Sequence, residues 1–377
     1  MDGAAREGVF HHLDSSGRRS IAVSGEVVAV VWEDNRDGSP QAYVAFKKKT
    51  ASGFSPAQQV SAGRVAYEPA VTAVGEGQFA VAWEQDGAVW TRIADITTLG
   101  RPQQLSRHLA GQAHLDGTAD GTIHMVWAEQ VGSYNAIHYQ VLHTERAAFT
   151  LKRDAAAMRV DASAETGAQL YPVVTQNGDG VVVAWEDRRA GHTQIYTAHR
   201  GGKGQFGAPQ RLNPLPPSRV PFGKGTGAMR AALANGAGKQ VVAVWLDKRD
   251  FTGGYDVYAA LSSDGGRRFG KAHVVQDEFG NNIAQWHAAV AADGRGGIVA
   301  AWDDRRDETG DIWLSWRTGD GWSEDQGATV AAGPGEQTHP AIAFDAAGML
   351  HLAWIDRRAA DGPTRLRYAA GRGATGP

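Results

Sequence analysis

Nine polar and aromatic residues of this chain have side chains suited to holding a ligand, and they stand at or near the beginnings of short apolar runs. Arginine, histidine and glutamate bond to hydroxyl groups or to a carboxylate, and aromatic rings cover the apolar faces of sugars. Their types differ from one position to the next, which is typical of a specialised binding site rather than of repeated scaffold. These residues are Arg19, Tyr67, Glu68, His114, Tyr171, Arg230, Trp286, His287 and His339.

Three of the nine are histidines, and three imidazoles can bind zinc or copper. His114, His287 and His339 are far apart in the sequence and have no local ligand spacing, so we predict no metal site and no cofactor. A histidine and a tyrosine at such a site can also act as base and acid in the cleavage of a polysaccharide, which is lyase chemistry. Enzyme action therefore stays open as an alternative to binding alone.

A repeated phrase organises the elements that carry these residues. It reads Val-Ala-Trp-Glu-Asp-Arg-Arg at Val183–Arg189 and returns, with substitutions, around seven tryptophans. The shortest interval between neighbouring tryptophans is 44 residues (127 minus 83) and the longest is 60 (245 minus 185). A period near this length, built from strands without a 3.6-residue pattern, predicts propeller blades. The seven anchors are Trp32, Trp83, Trp127, Trp185, Trp245, Trp302 and Trp354.

Within each repeat the pattern predicts a short inner strand, the strand that bears the tryptophan, an aromatic third strand and a less regular fourth. The sequence therefore predicts an all-β fold, a seven-bladed β-propeller of four-stranded antiparallel blades that forms one domain over residues 1–377. The last repeat has room for only three strands. We predict that an N-terminal strand, Val9–Leu13, pairs with Arg365–Ala369 and closes the ring, because closure removes an exposed sheet edge.

The repeated phrase itself is interpreted as scaffold. We expect the tryptophan to fill the space between blades, the aspartate to accept backbone N–H bonds in its turn, and the arginine to pair with a carboxylate or lie on a ring. Asp187, Asp247, Asp304 and Asp356 hold the aspartate position. A catalytic group is needed once, so a residue that recurs around the ring is more consistent with a structural role.

Charge and composition exclude several classes of partner. Lys and Arg total 38 against 41 Asp and Glu, a net charge of −3, so no polyanion such as nucleic acid is expected. The sequence has no apolar run of the length that a membrane span requires. It has no cysteine, so disulfides cannot brace the fold. We expect a monomer.

One turn resembles a motif of a known superfamily. Ser262-Ser263-Asp264-Gly265-Gly266-Arg267-Arg268-Phe269 fits the Asp-box pattern Ser-x-Asp-x-Gly-x-x-Trp/Phe of sialidases and BNR-repeat propellers. Degenerate versions follow other third strands at Thr50–Phe54, Gly201–Phe206 and Arg317–Trp322. The resemblance implies a sialidase-like propeller whose Asp boxes lie on the face away from the active site. It also implies a secreted or periplasmic protein.

The first repeat is similar to the opening of sialidases. By that resemblance Arg19 corresponds to an arginine that binds the substrate carboxylate, and Asp37 lies near the acid/base aspartate. Other parts of the sialidase pattern are missing. His339-Pro340 stands where the family has a Tyr-Ser strand opening, an Asn-Glu opening is absent, and the family's enzymes have six blades rather than seven. The sequence therefore does not predict a working sialidase.

Taken together, these patterns predict an exported propeller that binds a carbohydrate over its central opening. Arg19 and Arg230 favour an acidic glycan such as a uronate or a sialate. A glycoside hydrolase or polysaccharide lyase is the first alternative. A protein-interaction scaffold that docks a partner on the channel face is the second, and a large apolar patch at the opening would favour it.

Overall fold

Strands account for almost all of the regular structure in this computed structural model. It describes residues 6–13, 17–107, 109–145, 148–162, 167–178, 180–202, 204–214, 227–249, 254–280 and 283–372. The strands form seven antiparallel sheets. Each innermost strand contacts the innermost strand of the next sheet, and the last contacts the first, so the sheets form a closed ring. The chain is a seven-bladed β-propeller, as the tryptophan spacing predicts.

The strands are numbered in chain order and grouped by blade. Blade 1 has β1 (His11–His12), β2 (Ile21–Ser24), β3 (Val27–Asp34), β4 (Gln41–Lys48) and β5 (Gln58–Gln59). Blade 2 has β6 (Ala66–Ala73), β7 (Phe79–Gln85), β8 (Ala88–Ala94) and β9 (Gln103–Gln104). Blade 3 has β10 (Ala110–Gly117), β11 (Thr122–Val131), β12 (Tyr134–Glu145), β13 (Thr150–Arg153) and β14 (Met158–Arg159). Blade 4 has β15 (Gln169–Asn177), β16 (Gly180–Asp187), β17 (Gln194–Gly201) and β18 (Gln210–Arg211).

Blade 5 has β19 (Ala228–Asn235), β20 (Val241–Asp247), β21 (Asp256–Ser262) and β22 (His273–Val274). A one-turn 3-10 helix, Glu278–Gly280, leads to blade 6, which has β23 (Trp286–Ala292), β24 (Ile298–Asp307), β25 (Thr309–Thr318), β26 (Gly321–Trp322) and β27 (Gln326–Gly327). Blade 7 has β28 (Glu336–Phe344), β29 (Met349–Arg357) and β30 (Arg365–Arg372). In the described part of the chain no helix has the length and apolar character needed to cross a bilayer.

The tryptophan-bearing strands are covered on both faces by the neighbouring blades. Every residue of β16 and of β20 is buried. A strand that is covered on both sides needs apolar residues on both sides, which explains runs such as Val181–Ala184 in place of strict alternation. The small and β-branched side chains of these runs form the cores between adjacent blades.

The repeated phrase is scaffold, as predicted, and blade 4 illustrates how it works. The indole N–H of Trp185 donates to Oδ2 of Asp187 at 3.0 Å, while Asp187 Oδ1 accepts the backbone N–H of Arg189 at 2.9 Å. The Arg189 guanidinium lies over the ring of Tyr196, 4.7 Å from its centroid. The indole bond was not predicted. It recurs between Trp32 and Asp34, Trp245 and Asp247, and Trp302 and Asp304. The described turns of blades 5 and 7 contain no backbone N–H bond to Asp247 or Asp356, in contrast to the prediction.

The N-terminal segment belongs to blade 1, and its predicted pairing with β30 is wrong. His11 and His12 of β1 pair with Asp34 and Glu33 of β3. Tyr67 of blade 2 pairs with Glu84 in the same way, so β1 is the first half of the inner strand of blade 1 and β2 is the second half. Within the described residues, β30 is therefore bonded to β29 alone.

Apolar packing rather than strand pairing joins the N-terminal segment to blade 7. Leu13 is buried and packs in one cluster with Ile21 of blade 1 and with Ala341, Ala353 and Leu366 of blade 7. The backbone N–H of His11 adds a hydrogen bond to the Thr364 hydroxyl. Closure of the ring thus depends on a side chain inserted between the first and last blades.

Replacing Leu13 with alanine is expected to lower the free energy of unfolding by ~2–5 kcal/mol, because the change leaves a cavity at this junction. Denaturant unfolding of wild type and Leu13→Ala measures the loss. Phe10→Ala is the matched control, since Phe10 is 48% exposed and its loss should change stability by less than about 0.5 kcal/mol. Equal losses in the two variants would refute closure through Leu13.

Candidate functional site

Six blades contain the same backbone irregularity near the beginning of the inner strand. A β-bulge shifts the pairing register there, for example between Tyr67 and Ala70 in blade 2. The residue inside each bulge has a positive φ, which is uncommon for side chains other than glycine. Non-glycine residues in such conformations cluster at functional sites. We call the six residues the bulge ring: Glu68 (52°), Gln112 (58°), Tyr171 (50°), Arg230 (55°), His287 (54°) and His339 (59°).

Spacing from the anchor tryptophans could have located this ring in the sequence. The bulge residue stands 15 residues before the tryptophan in five blades, for example 83 minus 68, and 14 residues before it in blade 4, 185 minus 171. Counting back 15 residues from the tryptophan gives Gln112 in blade 3, two residues before the predicted His114. In blade 1 it gives Gly17, whose φ is also positive at 88°.

A carboxylate of the preceding blade holds the bulge in four of these cases. The residue that follows the tryptophan accepts the backbone N–H of the bulge residue in the next blade. Tyr171 is held differently, because blade 3 has alanine in the position after the tryptophan. The backbone N–H of Tyr171 instead donates to the Gln112 side chain at 2.8 Å. The four carboxylate bonds run from Glu68 to Glu33 (3.1 Å), from Gln112 to Glu84, from Arg230 to Glu186 (2.9 Å) and from His339 to Asp303 (2.8 Å).

Gly17, which lies before β2, crosses the axis of the propeller and plugs it. A Cβ on Gly17 would lie 1.9 Å from the carbonyl oxygen of Ala231 in blade 5 and 2.8 Å from the Val173 side chain in blade 4. Only glycine fits so close an approach across the channel. Below this plug the inner strands surround a cavity of about 260 Å³. We call the bowl above this plug the mouth. The bulge ring forms its wall, and its floor consists of Gly17, Arg18 and Arg19.

Two of the predicted site residues lie in or below this floor. Arg19 forms an ion pair with Asp116, a residue buried in blade 3. Burial alone would raise the pKa of Asp116, but Arg19 holds it below its usual value. His114 is also buried, and its Nδ1 accepts the backbone N–H of Val174 at 3.2 Å. Burial, with a contribution from Arg19, lowers the pKa of His114 to about 3. Both side chains brace the plug instead of facing the mouth.

Arg18, which was not predicted, ties the plug to blade 2. Its guanidinium lies 2.6 Å from Glu68 and 4.0 Å from Glu84, so the two carboxyl groups adjoin the same cation. Burial and the neighbouring Glu68 raise the pKa of Glu84 to about 8. Burial also acts to raise the pKa of Glu68, but the Arg18 charge outweighs it and the net shift is downward. The pair therefore shares one proton at neutral pH, since two adjacent carboxylates cannot both ionise easily.

Arg230 and Tyr171 form a stacked pair on the opposite part of the wall. The guanidinium carbon of Arg230 is 3.3 Å from the Tyr171 ring centroid. Its Nη1 is 2.8 Å from Oε1 of Glu186, a buried carboxylate. Burial raises the pKa of Glu186 although the Arg230 charge opposes this. Arg230 therefore already has an anionic partner within the protein.

His287 and His339 adjoin each other on blades 6 and 7. Their rings are stacked, with centroids 3.7 Å apart and planes inclined at 22°. Nδ1 of His287 lies 2.7 Å from Oδ1 of Asp303. Burial, reinforced by the neighbouring histidines, lowers the pKa of His339 to about 2, so its imidazole is neutral under ordinary conditions.

Two aromatic rings stand at the rim of the mouth. Tyr67 is 38% exposed and Trp286 is 39% exposed, and each directly precedes a bulge residue. Trp286 also contacts Tyr255, with ring centroids 5.4 Å apart. The structure thus brings together seven of the nine predicted residues, namely Tyr67, Glu68, Tyr171, Arg230, Trp286, His287 and His339, and adds Gln112 and Arg18.

Comparisons with known proteins support the fold. No protein-family model and no curated protein matches the sequence. Among solved structures, the chain is similar to the β-propeller domain of the Trilobed protease from Pyrococcus furiosus, which is described as having an open velcro topology (TM-score 0.55, 10% identity, 96% of each chain covered).

Two further similar structures are proteins named for sugar chemistry. One is the alpha-L-arabinanase of Penicillium chrysogenum complexed with arabinobiose (TM-score 0.50, 11% identity, 81% of this chain and 93% of that chain). The other is a neuraminidase-like protein from A/bat/Guatemala/164/2009 (TM-score 0.51, 11% identity, 82% and 90%). The predicted resemblance to sialidase-like propellers is confirmed at the level of the fold.

Replacing Glu84 with glutamine is expected to change how stability depends on pH. The folded-state pKa of Glu84 is raised from 4.5 to about 8, so between these values the folded protein keeps a proton that the unfolded chain releases. Stability therefore falls as pH rises through this window, and the Glu84→Gln protein should lack that contribution. Urea unfolding between about pH 5 and pH 8 measures both proteins. Parallel pH profiles would contradict the shared proton.

Proposed function

We propose that this propeller binds a carbohydrate in the mouth above the plug. The observation that carries the proposal is the bulge ring: six side chains of five different kinds occupy equivalent backbone positions around one axis. Scaffold residues repeat in a propeller, whereas these do not, and each is held in an uncommon backbone conformation. The ring contains hydrogen-bonding groups of several kinds, as a surface that reads the hydroxyl groups of a sugar requires.

The chemistry of the wall and rim also supports a sugar. Trp286 and Tyr67 present partly exposed rings, which suit the apolar face of a pyranose or furanose. Gln112, Glu68 and Arg230 supply donors and acceptors below them. In the described part of the mouth, the exposed rings of Tyr67 and Trp286 lie on different blades and form no continuous apolar patch of the kind that would favour a protein partner.

The balance of charge favours a neutral glycan over the acidic glycan expected from the sequence. That expectation depended on Arg19 and Arg230, but Arg19 pairs with Asp116 and Arg230 with Glu186. Arg18, in turn, pairs with Glu68. An incoming carboxylate would have to displace these partners, whereas a hydroxyl group can bond to a carboxylate without displacing a charge.

Binding is preferred to hydrolysis because of how the carboxyl groups are spaced. Glycosidases commonly place two carboxyl groups ~5–5.5 Å or ~6.5–9.5 Å apart, on either side of the scissile bond. Glu68 and Glu84 both lie within 4.0 Å of the Arg18 guanidinium, so this pair adjoins one cation instead of flanking a sugar. Export from the cytoplasm accords with a glycan ligand and is part of the proposal; cell fractionation tests it.

The test combines a glycan array with calorimetric titration of the best-binding oligosaccharide. Trp286→Ala and Arg230→Ala are each expected to weaken binding by about tenfold or more, which corresponds to ~1.4 kcal/mol. Arg268→Ala is the matched control for Arg230, because Arg268 is exposed on the Asp-box turn at the opposite end of the strands. Its affinity should equal that of wild type.

Two results would contradict this proposal. One is an unchanged affinity in both mouth variants; the other is a preference for uronic or sialic oligosaccharides over neutral ones, which would restore the acidic-glycan alternative. Product analysis of the same mixtures distinguishes binding from catalysis. Reducing ends would indicate hydrolysis, and unsaturated sugars would indicate lyase action.

A further inference from the structure

Three potential metal ligands come together where blades 6 and 7 meet at the mouth. His287, Asp303 and His339 can each present one donor atom, and the three donor atoms lie within 4.8 Å of one another. They belong to three different strands, β23, β24 and β28. Their separation in the sequence hides the cluster, and Asp303 occupies the position after a repeated tryptophan, where it resembles scaffold.

Nδ1 of His287 lies 2.7 Å from Oδ1 of Asp303. An ion bound by both residues takes the place of the proton between these two atoms, and metal binding commonly releases such a proton. The side chain of His287 is 27% exposed, so an ion can reach it from the mouth.

The other two residues also retain donor atoms. Oδ1 of Asp303 accepts both the His287 bond and the backbone N–H of His339, while Oδ2 accepts no hydrogen bond from the described residues. Nδ1 of His339 lies 2.9 Å from the Thr338 hydroxyl, which leaves Nε2 for a further partner. The two rings are stacked face to face with centroids 3.7 Å apart, so binding one ion through both imidazoles requires one ring to rotate.

We propose that His287, His339 and Asp303 bind one divalent transition-metal ion of the zinc type. Two imidazoles and one carboxylate form a ligand set that binds such ions in preference to calcium or magnesium. Ligand distances of ~2.0–2.2 Å require donor atoms roughly 3–3.5 Å apart, so the site closes through small side-chain rotations. His12, whose ring centroid is 5.6 Å from that of His339, is the nearest additional imidazole.

The ion site shares His287 and His339 with the bulge ring, but Zn²⁺ binding can be measured without a sugar. Three protein ligands leave coordination positions for water or for an oxygen of a molecule in the mouth. The bulge geometry gives the site its rigidity, because the backbone of His339 is itself bonded to Asp303. The metal and the sugar can therefore be tested separately on the same protein.

The experiment titrates chelator-treated full-length protein with Zn²⁺ by calorimetry and with Co²⁺ by visible absorption. Wild type is expected to bind one ion per chain, with a Co²⁺ spectrum of nitrogen and oxygen ligation. His287→Ala and His339→Ala should each weaken Zn²⁺ binding at least tenfold and remove the Co²⁺ bands. His273→Ala, at an exposed position on β22, is the matched control and should bind as wild type does.

Asp303→Asn provides a second test in case an alanine variant fails to fold. Asparagine still accepts the His339 N–H but lacks the charge that favours the ion, so affinity should again fall at least tenfold while circular dichroism stays unchanged. The proposal is refuted if wild type takes up no stoichiometric Zn²⁺. It is equally refuted if folded His287→Ala and Asp303→Asn proteins bind Zn²⁺ with wild-type affinity.

Discussion

The hydrogen bond from a carboxylate of one blade to the backbone N–H of the next is the interaction on which the mouth depends. An inner strand with regular pairing would direct its side chains into the neighbouring blades or along the channel. A bulge with positive φ turns one residue toward the axis, and that conformation is unfavourable for glutamate, arginine or histidine unless another group fixes it. Glu33, Glu84, Glu186 and Asp303 supply the fixing bond.

The residues that hold the strand end and the residue that holds the bulge of the next blade are neighbours in the sequence. The tryptophan and the aspartate two positions later are bonded to each other and hold the strand end, as in Trp185 and Asp187. The residue between them, Glu186 in this blade, reaches across to the next blade and holds Arg230. Blades with alanine, leucine or isoleucine at this position cannot make the bond. The glutamates and Asp303 therefore fix four of the six bulge residues, whereas Tyr171 is held by Gln112.

The N-terminal segment shows a second way to fill a propeller axis. Seven blades leave a channel that is wider than small side chains can close, and the inner strands here are rich in alanine. Inserting a loop in place of the bulge of blade 1 brings Gly17 across to blades 4 and 5 and anchors Arg18 and Arg19 on blades 2 and 3. The same segment seals the junction with blade 7 through Leu13.

Local patterns in the sequence predicted the fold and most residues of the candidate site; the residues that these patterns missed are held by contacts between blades. Tryptophan spacing identified seven blades, and unlike residues at the inner strands identified Glu68, Tyr171, Arg230, His287 and His339. The plug was missed because Gly17 and Arg19 have partners in other blades, which no local pattern specifies. His114 was preferred to Gln112 because histidine is chemically more conspicuous, although the fixed spacing favours Gln112. Asp303 stands at the variable position after a repeated tryptophan, so no local pattern indicates its bond to His287.

A crystal structure of the protein with a bound neutral oligosaccharide tests the central claim most directly. The account predicts electron density for a sugar in the mouth, with a ring against Trp286 and hydroxyl groups within hydrogen-bond distance of at least two members of the bulge ring. The six bulge residues should keep their positive φ in the complex. Sugar density found only on the Asp-box face, or bulges that relax to ordinary strand geometry, would contradict it.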